Sequence, residues 1–187
     1  MSTLFFHSRL FQTRRGAWAL AAGFAFLILA AAPFALGISR WLRGQNLLLV
    51  LVIALFIVFF GYLLAYLFYR IKGAPLRVWF FLAGLFLFGG ILLALNRTPE
   101  ERVHLLEFTL LGLLLLKACR LSFQGNTPYL LALLLAMGTG WCDELWQALL
   151  PGRVYDIQDV LNNAGGGVLG VALARIRYNY GKPADNE

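Results

Sequence analysis

The residues best able to do chemistry stand together in the last third of the chain. The stretch WCDELWQALLPGRVYDIQDVLNNAGGG, residues 141–167, carries Asp143, Glu144, Gln147, Arg153, Asp156, Asp159, Asn162 and Asn163. Upstream, RVHLLEF adds His104 and Glu107. Of these, His104, Glu107, Asp143, Glu144 and Asp159 are the candidates for moving a proton. A carboxylate out of water becomes a better base, and histidine titrates near neutrality. Gln147, Arg153, Asn162 and Asn163 are the candidates for holding a substrate. A guanidinium grips phosphate or carboxylate with two parallel bonds, and side-chain amides can donate to a developing oxyanion. His104 with two carboxylates could hold a divalent metal, but the spacing matches no metal motif. No cofactor is expected.

These groups sit in an unusually oily chain. Hydrophobic residues make up 60% and charged residues 13% of the 187 residues, about half the charged share of an ordinary soluble domain. Six apolar runs are long enough to cross a bilayer, which takes about 17–25 residues each. They cover Ala17–Ile38, Leu47–Tyr69, Val78–Leu95, Val103–Cys119, Tyr129–Leu150 and Val160–Ile176. The runs are unbroken, so helices are expected and a barrel is not. The expectation is an all-α bundle, one integral membrane domain over 1–187. The first run follows Arg9, Arg14 and Arg15, as a signal peptide would, but it is longer than a signal core and reads as a retained helix with a kink at Pro33. The net charge of +7 falls in loops, where it sets orientation, and nucleic acid is not an expected partner. Cys119 and Cys142 fall towards opposite membrane faces and read as unpaired.

Orientation gathers the polar groups. With six spans, eleven of the sixteen Lys and Arg residues fall on the side that holds both termini, Arg9 and Lys182 among them. Positive-inside bias makes that side cytoplasmic. The fourth span then starts outside with His104 and Glu107, the fifth ends outside with Asp143, Glu144 and Gln147, and the sixth starts outside with Asp159, Asn162 and Asn163. His104 and Glu107 share a helix face, as do Asp143 and Gln147, and Asp159 and Asn163. Either Asp156 or Asp159 could cap the sixth helix. Gly166 and Gly170 have the GxxxG spacing that admits a packing partner at close range. Glu100, Glu101 and Arg102 read as solvated helix-end charges. A polar clamp holding three helix ends together accounts for the same cluster without any activity.

The stretch DELWQALLPGRVYDIQDVLNNAGGGVLG resembles the signature of the VanZ-like membrane proteins. Asp143, Glu144, Gln147, Arg153, Asp159, Asn163, Gly166 and Gly170 match it, and His104, Glu107 and Gly112 match the family's upstream element. The resemblance runs from Arg97 to Val171. Two positions depart from the pattern: Glu101 stands where a Lys is common, and Phe108 where a Tyr is common. The family's founding member is linked to teicoplanin resistance. The resemblance therefore implies the bacterial inner membrane, with the cluster facing the periplasm or exterior, and names no reaction.

Three functions fit. The first is an envelope enzyme, a hydrolase or transferase, acting on membrane lipids or a lipid-linked precursor. The second is a binder of an antibiotic or lipid that needs no proton transfer. The third is a structural or proton-coupled membrane subunit, against which stand the apolar inner halves of all six spans and the lack of an inverted repeat.

Overall fold

A computed structural model describes residues 12–181, so Arg9 and Lys182 lie outside the described residues. Among the described residues there are six helices and no strands. We label them α1 (Arg14–Gly44), α2 (Leu48–Ile71), α3 (Leu76–Leu95), α4 (Pro99–Arg120), α5 (Thr127–Ala148) and α6 (Ile157–Tyr180). Each overlays one expected span with ends shifted by a few residues; α5 ends at Ala148, two residues before the expected Leu150.

Local chemistry sets those ends. The Thr13 hydroxyl accepts from Gly16 N at 3.0 Å and caps α1. Pro75 precedes α3, where its fixed φ suits a helix entry. Thr98 caps α4 in a reciprocal box: its hydroxyl accepts from Glu101 N at 3.3 Å, and the Glu101 carboxylate accepts from Arg97 N at 2.7 Å. Asp156 caps α6 by accepting from Gln158 N at 2.8 Å. Between α5 and α6, Gly152 holds φ +79°, a turn conformation that side chains disfavour. Helix α1 runs without a break through Pro33.

The six helices are unequal. Among the described residues α1, α2 and α3 are each long and apolar enough to cross a membrane. Many of their large side chains point outward: Phe26, Phe34, Val58 and Phe80 are each about 70% exposed. An outer surface of this kind belongs against lipid. Helices α4 to α6, at 22–24 residues, are comparable in length to α2 and α3 but carry polar groups and turn them inward. Helices α4 and α6 pack together most closely, with α5 against both, α1 against α4 and α5, and α2 and α3 outside.

The α4–α6 contact is backbone on backbone. A Cβ added to Gly112 would stand 2.6 Å from Gly167 O, and one added to Gly166 would stand 2.9 Å from Leu105 O. A Cβ on Gly170 would overlap the Thr109 carbonyl outright. The expected close approach through Gly166 and Gly170 is therefore made within the chain, to α4. Below it lies a core of Phe108, Leu111, Leu116, Ala136 and Val171. Cys119 is buried, Cys142 is exposed, and both are free thiols.

Candidate functional site

The crossing of α4 and α6, with α5 against both, brings three helix ends to one end of the bundle. On α4, His104 and Glu107 share a face, and His104 Nδ1 lies 3.1 Å from Glu107 Oε2. The same nitrogen lies 3.9 Å from Asp143 Oδ2 on α5. A single imidazole therefore sits between two carboxylates from different helices. Asp143 is fully buried, and its Oδ2 also accepts from Gln147 Nε2 at 2.8 Å. This four-residue network forms the centre of the cluster. The imidazole balances one of these acids when it is protonated and can accept a proton when it is neutral.

Glu144 and Asn162 do different work. Glu144 is buried and accepts from Asp156 N at 2.7 Å, which ties the end of α5 to the start of α6. Asn162 donates to Glu101 O at 2.9 Å and accepts from Asn96 Nδ2 at 3.1 Å. It thereby joins α6 to α4 and to the end of α3. Both residues complete backbone or amide partners that would otherwise be orphaned in an apolar setting. Asp159 forms no side-chain hydrogen bond among the described residues. It faces the same space, where Glu144, His104, Glu101 and Asp156 all act on it electrostatically.

Several buried polar atoms have no partner among the described residues. Asn163 is 1% exposed, yet neither its amide nitrogen nor its amide oxygen is hydrogen-bonded. Its Cβ lies 2.8 Å from where a Gly140 Cβ would stand, one turn of α5 before Asp143. Asp143 Oδ1 and Arg153 Nε are likewise buried and unpartnered. Arg153 makes no ion pair among the described residues.

Asn96 escaped the sequence reading. It is 3% exposed and holds Asn162 in place. The available signal was its position: a lone amide at the end of an oily helix, on the side where the other polar groups converge. Phe108, at the position where a hydroxyl was expected, is fully buried with its ring 3.3 Å from a Gly140 Cβ position. It packs α4 on α5. Glu101 serves in the α4 cap, and Glu100 pairs with Arg43 of α1. Among the described residues no three of His, Cys, Asp and Glu are arranged to hold a metal ion.

The fold and this cluster define a helical membrane protein whose polar side chains meet at one end of the bundle. Residues 100–178 match the model of the VanZ/LLP1 family. The match covers the whole run from His104 to Asn163 and all of α5, and this part of the chain is similar to the VanZ-like family. No curated protein and no solved structure matches the chain.

Proposed function

We propose that the protein is an enzyme of the bacterial envelope, a hydrolase or transferase, that acts on a lipid-linked or amphipathic substrate at the outer face of the inner membrane. On this reading all six helices cross the membrane. The end bearing the carboxylates faces out, because the opposite end holds most of the Lys and Arg residues.

The carrying observation is the set of buried groups left without partners: both amide atoms of Asn163, Asp143 Oδ1 and Arg153 Nε. A structural clamp satisfies its polar atoms, since each orphan costs about 1–3 kcal/mol. Glu144 and Asn162 already tie the helix ends together, so the unpaired groups are surplus to that task. A substrate supplies their partners. Arg153 would take a phosphate or carboxylate, and the Asn163 amide would orient a carbonyl or hydroxyl. His104, held between Glu107 and Asp143, would accept a proton from the attacking group and pass it to the leaving group. An acyl chain would lie along the apolar outer faces of the helices. A non-catalytic binder of an antibiotic or lipid would use Arg153 and Asn163 alike but would leave His104 idle.

The test compares a deletion strain with strains restored by the wild type, Arg153→Ala, Asp159→Asn or His104→Gln, reading extracted envelope lipids by mass spectrometry. Arg153 and Asp159 bond to no other side chain among the described residues, so their variants keep the fold. The enzyme reading expects one lipid species to change on deletion and to stay changed in all three variants. An unchanged lipid profile on deletion contradicts it. Restoration by His104→Gln, with failure by Arg153→Ala, indicates the binder.

A further inference from the structure

The acids and many of the cations of this chain occupy opposite ends of the bundle. All seven Asp and Glu residues among the described residues lie at the starts of α4 and α6, at the end of α5, or in the loop before α6. At the far end, Arg70 closes α2, Arg120 closes α4 and Arg175 stands near the end of α6. Lys117 and Arg177 stand beside them, and the charge of Arg177 acts on Lys117. None of the ion pairs among the described residues involves Arg70, Arg120 or Arg175.

These cations are not spread along solvated loops. They are gathered on tyrosine rings. The Arg120 guanidinium lies 4.5 Å over Tyr178 and 5.8 Å over Tyr129, and donates to the Tyr129 hydroxyl at 2.6 Å. Arg175 lies 5.1 Å over the same Tyr129 ring, and Arg177 lies 5.2 Å over Tyr178. Two rings thus draw three guanidiniums together. Stacking of this kind is worth about 0.5–2 kcal/mol, while the like charges repel across the group. Orientation bias explains why basic residues occur at this end, but not why they converge. Convergence is favourable when an anion sits among them.

The surface beside the cluster says which anion. Leu121 and Phe123 flank Arg120 and are about 40% exposed, and Leu130 and Leu134 run down α5 from Tyr129 at about 60%. A phosphate arriving here meets an apolar stripe fit for acyl chains. We propose that Arg120, Arg175, Tyr129 and Tyr178 form a headgroup site for an anionic phospholipid in the leaflet opposite the carboxylate cluster. The site does not depend on the proposed activity.

The test uses the full chain in nanodiscs of phosphatidylcholine doped with phosphatidylglycerol, released into native mass spectrometry to read the retained lipid. The wild type should retain phosphatidylglycerol over phosphatidylcholine. Arg175→Gln, an exposed side chain whose loss leaves the core untouched, should lower that preference about fivefold, and Arg120→Gln about as much. Arg120→Lys should keep most of it. Equal retention of the two lipids, or an unchanged preference in Arg175→Gln, overturns the site. So does full displacement of the lipid by inorganic phosphate, which would mark a soluble anion. A severalfold rise in retention when Asp185→Asn and Glu187→Gln are combined would make the chain's own tail the resident anion and also overturn it.

Discussion

Replacing Gly170 with alanine should pull the molecule apart at the place where its site is assembled. The added methyl would overlap the Thr109 carbonyl and crowd Gly112 Cα at 3.0 Å. Both obstacles are backbone, so no side-chain rotation relieves them. Gly112→Ala meets the same problem from the other side, with its Cβ 2.6 Å from Gly167 O. Ordinary contact begins near 3.4 Å, so α4 and α6 would have to part by about 0.8 Å for Gly112→Ala and by more than 1 Å for Gly170→Ala. Parting loosens Phe108, Leu111 and Val171 and draws Asn162 away from Glu101. Overpacking a tight core costs about 1–3 kcal/mol, and a contact against backbone belongs at the upper end. For a chain of this size that lowers the unfolding midpoint by about 6–12 °C. The control is Gly138→Ala on α5, where nothing lies within 4 Å of the added Cβ. It should be neutral or stabilising by about 0.5–1 kcal/mol, because alanine is the better helix former. The assay is thermal unfolding in detergent followed by tryptophan fluorescence. Equal midpoints for Gly170→Ala, Gly112→Ala and Gly138→Ala would refute the backbone-contact account.

Other consequences can be read in the same assay. Glu144→Ala strands the Asp156 N–H and should destabilise by about 1–3 kcal/mol, with Glu144→Gln losing much less because its amide oxygen still accepts. Asn96→Ala and Asn162→Ala should each destabilise, and the double variant should cost less than the two together, since they share one bond; strict additivity would mean that the bond does not form. Thr98→Ala removes the α4 cap and should cost about 0.5–2 kcal/mol, with no change in the lipid retained at the opposite end.

The helices were legible because length and hydropathy decide them. Each apolar run became one helix, and the alternation of helix direction alone brought His104, Asp143 and Asn163 to one end. The close α4–α6 contact was legible from the Gly166 and Gly170 spacing, although Gly112, its partner surface, was not singled out for packing. The division of labour within the cluster was not legible. Glu144 and Asp143 are adjacent and chemically alike, yet α-helical rotation points Glu144 at the loop backbone and Asp143 at His104. Sequence spacing does not say which neighbouring carboxylate meets a backbone N–H from twelve residues away. Asn96 was hidden for the same reason: its partner, Asn162, is 66 residues distant. The pairing of cations was legible only in part. His104 and Arg153 both stood as partners for the buried acids, and it is His104 that lies beside Asp143, because Arg153 sits beyond the end of α5 in a turn fixed by Gly152.

The central claim is that the unpaired polar groups of this cluster act on an envelope lipid. The most direct measurement incubates purified wild-type protein and Arg153→Ala, both in nanodiscs, with the polar lipid extract of the deletion strain, and follows every species by mass spectrometry over time. The account predicts that one amphipathic anionic species declines and a product appears with the wild type, while Arg153→Ala leaves both unchanged. A species that is retained by the wild type but never consumed would contradict catalysis and leave binding as the function. An extract that neither changes nor binds would contradict the site itself.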